Sequence, residues 1–193
     1  MPGTFAELDP AVIAAVAAGG LVLLILIVWF WRNRRRPPSI ADVLAAVAVE
    51  RLQDVIVPDG LGGEIHIEHL LLTSRGILVV NVKNYAGAVF AGERMDQWTA
   101  IDSGGRSTFQ NPLPNLHDRV HAVRQLVRDV EVRGLVVFPS TADFSKGRPD
   151  DVMLPEDLRI AYAKPDQSDL GRRIEAFGPH WDKIRAAAQP AST

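Results

Sequence analysis

Residues Glu64–Gly87 read EIHIEHLLLTSRGILVVNVKNYAG, and the way they pair decides the fold. Glu64 to Leu72 alternates, with Glu64, His66 and Glu68 on one side and Ile65, Ile67 and His69 on the other. Ile77 to Lys83 is rich in β-branched residues; Asn81 and Lys83 share one face, Leu78, Val80 and Val82 the opposite one. Thr73-Ser74-Arg75-Gly76 reads as a four-residue hairpin loop in which Gly76 is free to take a positive φ. If Leu72 pairs with Ile77, Glu68 faces Asn81 and His66 faces Lys83. Facing side chains have Cβ atoms about 4.5–5.5 Å apart. An acid, an amide, an imidazole and an amine would then gather on one face, and a one-residue slip would scatter them.

Ahead of this hairpin, Ala11 to Trp31 carries no charge and is apolar throughout. At about 1.5 Å per residue, some 20 residues cross a bilayer core of about 30 Å. Residues 11–31 are therefore predicted to form one transmembrane helix, with Trp29 and Trp31 at the interfacial belt. Arg32, Arg34, Arg35 and Arg36 follow, and Pro37-Pro38 ends the helix, so residues 32–38 form a basic, proline-bearing linker. A cleaved signal peptide fits poorly: Glu7 and Asp9 precede the apolar run in place of a basic segment, and no small-residue cleavage site precedes the arginines. The positive-inside rule puts residues 1–10 outside and the rest of the chain in the cytoplasm, a single-pass protein of the cell (inner) membrane. Ala15 and Gly19 offer a small-residue face through which helices could pair into a homo-oligomer.

Residues 39–188 are long enough for one domain with a real core, followed by a tail, 189–193, expected to fray. Cysteine is absent, which excludes disulfides, thiolate metal sites and a cysteine nucleophile. Setting aside Arg32, Arg34, Arg35, Arg36, Glu7 and Asp9 leaves 17 Lys+Arg against 21 Asp+Glu, a formal charge of −4. That balance is not the footprint of a strong, non-specific nucleic-acid binder, although Arg119, Arg124 and Arg128 can make a local basic patch. Ser39 caps a helix to about Val49, Gln53–Val57 reads as a strand, and Pro58-Asp59-Gly60 as a turn. After the hairpin come a turn at Asn84–Gly87, short strands Ala88–Phe90 and Gln97–Ile101, and a turn over Asp102–Arg106. A long helix runs from Asn111-Pro112 to about Val130, followed by a buried strand Gly134–Phe138. Pro139–Asp151 reads as loop, Val152–Pro155 as an edge strand, and Ser168–Ala188 as one or two helices. The order is α-β-β-β-α-β, an α/β fold with a mixed sheet flanked by helices.

Taken together, Ile67-Glu68-His69, Gly76-Ile-Leu-Val-Val-Asn-Val-Lys-Asn84 and Gly87, followed by Trp98, Asn111-Pro112-Leu113 and Val136-Val-Phe138, resemble the nuclease-related domain (NERD) family. That family is a branch of the PD-(D/E)XK, restriction-endonuclease-like superfamily. The resemblance covers about residues 40–160 and implies a restriction-endonuclease-like mixed sheet flanked by helices, preceded here by the membrane helix. The family pattern places an Asp where Glu68 stands, a Glu where Asn81 stands, and a Gln at about Asn115; the Lys is kept as Lys83.

The resemblance implies phosphodiester hydrolysis in DNA or RNA, with Mg²⁺ (Mn²⁺ as substitute) held by two carboxylates and a lysine nearby. Carried onto this chain, Glu68 and Asn81 are the metal ligands, Lys83 positions water or stabilises charge, and His66 is an auxiliary ligand or base. Glu68 keeps the charge one methylene further out; Asn81 offers an oxygen without charge. Glu64, His66 or Asp54 could compensate. The rival reading is a catalytically inactive, membrane-tethered module that binds nucleic acid or another protein. A third is a substrate other than nucleic acid, which the acidic balance allows. His117 and His121, four apart on one helix face, would need a third ligand to hold zinc. No serine-hydrolase or phosphate-loop motif is present.

Overall fold

The computed structural model describes residues 38–191, together with Gly20, Leu23, Leu24, Leu26 and Ile27. The chain divides after Pro37. Residues 1–10, nearly all of the predicted span 11–31, residues 32–37 of the linker and residues 192–193 lie outside the described residues. The five described residues of the first unit are helical and exposed. Among the described residues no helix is long and apolar enough to cross a membrane.

The second unit is built on the hairpin. Strand β2 (Glu64–Thr73) pairs antiparallel with β3 (Gly76–Val82) in the expected register, Leu72 opposite Ile77 and His69 opposite Val80. The connection is tighter than expected. Thr73 pairs with Gly76, so only Ser74 and Arg75 form the turn, and the buried Thr73 hydroxyl donates to Gly76 O at 2.8 Å. Gly76 sits at φ +113°, and a Cβ there would lie 2.5 Å from Glu131 O, so no other residue fits. Leu70, Leu71, Leu72, Ile77, Leu78 and Val79 are all shielded from solvent. Burial on both faces is why the run reads as continuously apolar where a one-sided strand would alternate.

Around this pair, β1 (Glu50–Pro58) lies against β2, β7 (Val132–Val137) runs parallel to β3, and the two-residue strands β9 (Val152–Met153) and β10 (Gln189–Pro190) close the edges. The order is β10-β1-β2-β3-β7-β9, a mixed sheet. A smaller sheet, β6-β5-β4-β8, is made from Gly105–Gln110, Gln97–Asp102, Gly87–Phe90 and Ala142–Asp143. One core joins the large sheet to helices α2 (Leu113–Leu126) and α4 (Gln167–Ala187) and to Val89, Trp98 and Ala100 of the small sheet. The other packs Leu71, Leu78, Val80, Leu135 and Val137 against α1 (Ile40–Val47) and α3 (Pro155–Ala161).

One irregularity interrupts β1 and β2 at facing positions. Leu52 and Val55 both turn to the first core, as do their partners Leu70 and Ile67. Three residues separate core positions where two would in a regular strand. Asp54, at φ +50°, is the residue in β1 that absorbs the change of phase.

Several boundaries differ from expectation. Helix α2 stops at Leu126, because buried, β-branched Val127 is extended (φ −133°) and turns the chain back toward β7. The turn after Asp102 opens β6, and the loop after Pro139 contributes β8. Pro155 starts a helix where a strand end was expected; its fixed φ and missing N–H suit a first helical turn. The tail does not fray through 191: Gln189 and Pro190 pair with β1, and Ala191 N donates to Asp54 O at 2.8 Å. The observed order therefore has more strands than α-β-β-β-α-β.

Helix α2 approaches β7 closely at Gly134, where a Cβ would meet Val120 Cγ2 at 2.7 Å and Leu116 Cγ at 2.8 Å. Gly134→Ala should therefore overpack this contact and lower stability by about 1–3 kcal/mol in urea denaturation. An unchanged midpoint would show that α2 can lift off without cost.

Candidate functional site

The β2–β3 ladder ends at His69 and Val80. Beyond it the strands part. β2 stays with β1, pairing Ile67 with Val55 and His66 with Ile56. β3 stays with β7, pairing Asn81 with Val136 and Val82 with Val137, and Lys83 N donates to Val137 O at 3.0 Å.

Glu68 stands in this fork. Its Oε2 accepts the Val82 N–H at 2.9 Å and the Asn81 Nδ2–H at 3.2 Å. The carboxylate thus replaces the backbone carbonyl that the parting strand has lost. Glu68 and Asn81 meet, as the register required. His69 is the residue that alternation misassigned: its Nε2 lies 3.7 Å from Glu68 Oε1, although it was expected on the opposite side. The change of strand phase just before it accounts for the difference.

His66 does not face Lys83, because no ladder joins the two strands there. It turns to β1, where its Nε2 lies 3.4 Å from Asp54 Oδ1 in an exposed pair. Arg119, one of the basic residues on α2, has a role here: its Nε donates to His66 O at 2.7 Å and its Nη1 to Asn115 O at 3.0 Å. It ties α2 to β2 below the fork. Lys83 is half-buried, and its amine has no hydrogen bond or ion pair among the described residues. Two residues on, Tyr85 stacks on Phe109 with ring centroids 3.9 Å apart and planes 5° from parallel.

Asn115 lines a separate cavity of about 310 Å³ with Arg94, Asp96 and Asn111. Asn111 itself is structural. Its Oδ1 accepts Leu113 N at 2.9 Å to start α2, and its Nδ2 donates to Glu93 O and Met95 O. His117 pairs with Asp151 (Nε2 to Oδ2, 3.1 Å), and His121 Nε2 is 3.1 Å from Gln125 Nε2. Among the described residues, no three His, Asp or Glu side chains come together in a way that could hold a metal ion. At the fork the side chains that come together are one carboxylate, Glu68, one amide, Asn81, and one imidazole, His69.

A family model described as nuclease-related domain matches residues 41–139, which contain the fork, strands β4 to β6 of the small sheet and α2. An uncharacterized protein of Bacillus anthracis is 30% identical over 76 residues, or 39% of this chain and 36% of that protein. The match thus spans about a third of that relative's length. No solved structure matches the chain significantly.

Removing the Glu68 acceptor strands two donors in a partly shielded site. Glu68→Ala should cost about 1–3 kcal/mol and speed hydrogen exchange at the Val82 amide, whereas Glu68→Gln, which keeps an acceptor, should retain most protection. Equal exchange in all three proteins would show that the carboxylate does not hold the fork.

Proposed function

Since this chain belongs to the nuclease-related domain family, we propose that its second unit engages a nucleic-acid phosphodiester backbone at the β2–β3 fork as a binding module without the family's metal-dependent hydrolysis. The supporting observation is the hydrogen bond from Asn81 Nδ2 to Glu68 Oε2. Two carboxylates at such a separation repel unless a cation or a shared proton lies between them. An amide in one place satisfies the remaining acid directly, and the pair is stable as it stands. The group left to meet an anion is Lys83, whose amine has no partner among the described residues. The Tyr85–Phe109 stack beside it offers a partly exposed aromatic surface of the kind on which bases lie. The net acidity of this unit limits such binding to what the local site supplies.

Hydrolysis with Mg²⁺ is the second reading. It is favoured by the retained Lys83 and by two oxygens, Glu68 Oε1 and Asn81 Oδ1, that accept no hydrogen bond among the described residues. A second part of the proposal concerns location. The uncharged run 11–31 followed by four arginines supports a single-pass membrane anchor with the fork on the cytoplasmic side.

The binding reading is checked by fluorescence anisotropy of the full chain with labelled single- and double-stranded DNA and RNA in EDTA. Binding should persist without metal, and Lys83→Ala should weaken it and reduce the salt slope by about 1. Absence of binding to every oligonucleotide would overturn it. Mg²⁺-dependent cleavage of plasmid or oligonucleotide, lost in Lys83→Ala, would establish the second reading instead. If the site has merely lost its acid, Asn81→Glu should gain Mg²⁺ binding by calorimetry. The anchor is checked by fractionation: the full chain should sediment with membranes and a chain lacking residues 1–37 should not.

A further inference from the structure

At the far end of β3 from the fork, three arginines converge from distant parts of the chain. Arg75 is in the β2–β3 turn, Arg133 is on β7, and Arg173 is on α4. Together with Glu131, Tyr162 and Phe177 they line a cavity of about 370 Å³. β3 spans seven residues, so at about 3.3 Å each the cavity lies roughly 20 Å from Lys83.

The charges here are poorly balanced. The only acid in the lining is Glu131, whose Oε1 is 4.0 Å from Arg133 Nε, and both side chains are about half exposed or more (64% and 48%). Such a wide, wet pair contributes little. Arg173 Nη1 donates to Ser74 O at 3.2 Å, which orients the guanidinium and leaves its other donors unused. Arg75 has no ion pair among the described residues. Three guanidiniums against one carboxylate is a local reversal of sign in a unit whose formal charge is negative. Glu131 offsets only part of the mutual repulsion. Tyr162 lies beneath at 3% exposure, and burial pushes its phenol above the ordinary range, so it remains an uncharged hydroxyl at neutral pH. The half-buried Phe177 gives one apolar wall.

We propose that this cavity binds a phosphate group, either inorganic phosphate or a small phosphomonoester. Guanidinium forks match the oxygens of a phosphate in pairs, and three of them from different directions can neutralise a dianion. The volume suits a small ligand of nucleotide size. The inference stands apart from the fork and does not depend on whether the fork binds nucleic acid.

The test is calorimetric titration of the full chain with inorganic phosphate, with a nucleoside 5′-monophosphate and with the same nucleoside lacking phosphate. Phosphate and the monophosphate should bind at about millimolar affinity or tighter, and the nucleoside should not. Tighter binding of the monophosphate than of phosphate would assign Phe177 to the base or sugar; equal binding would leave phosphate alone as the ligand. Arg75→Gln, Arg133→Gln and Arg173→Gln should each weaken binding about tenfold, while Arg94→Gln, in the separate cavity beside Asn115, should leave it unchanged. All three arginines are exposed, and their variants should keep the parent's unfolding midpoint. Should one fail to fold, the Nε–Hε resonances of Arg75, Arg133 and Arg173 in the unaltered protein should still shift on adding phosphate. No heat and no shift at tens of millimolar phosphate would overturn the proposal. So would a loss confined to Arg94→Gln.

Discussion

One hydrogen bond, from the Val82 N–H to the Glu68 carboxylate, allows the central strand to part from β2 while it keeps β7. β3 is the parallel neighbour of β7 from Ile77 to Val82, but the second arm of the hairpin only as far as Val80. At the change, its outward-facing amide would lose the ladder on the β2 side, and a shielded amide without an acceptor is costly. The side chain of Glu68 reaches across the widening gap and supplies the oxygen. Beyond that point β3 continues on β7 alone, and β4, β5, β6 and α2 fill the crossover between the two. The same separation places Lys83 at the carboxyl end of a parallel pair, where open α/β sheets receive ligands.

The hairpin was legible because it is over-determined. Three consecutive core residues on each of two arms must all be buried, a tight turn joins them, and only one register meets both demands. The Glu68–Asn81 meeting followed from that register. What stayed hidden has physical causes. Asp54 takes a left-handed φ that its side chain only weakly prefers, so nothing in the local sequence announces the change of phase. That change brings His69 to Glu68 and takes His66 to Asp54. The arginine cluster joins positions 75, 133 and 173, too far apart in the chain for any periodicity to relate them. Two-residue strands such as β8, β9 and β10 are set by tertiary contacts, not by their own composition.

The two ends of β3 divide the electrostatic character of the unit. At the fork, an acid, an amide and a lysine leave almost no net charge, so any grip on a phosphodiester depends on one amine and on shape. At the hairpin end, three guanidiniums concentrate positive charge in a unit that is acidic as a whole. A single formal charge for the chain conceals both. Each site is assembled by rigid strand geometry and finished by a helix: Arg119 of α2 secures β2 below the fork, and Arg173 of α4 secures the turn.

The two-residue strands at the margins also bear on solubility. A sheet with a long, bare outer strand is a template for another chain, because its unpaired N–H and C=O groups invite a partner. Here both margins of the large sheet end in strands of two residues, β9 and β10, too short to seed an extended ladder. Pro190 adds a position that cannot donate at all. The modest C-terminal tail therefore acts as a hem on the sheet: by covering Val55 and Ile56 it blunts the β1 margin against edge-to-edge association between copies.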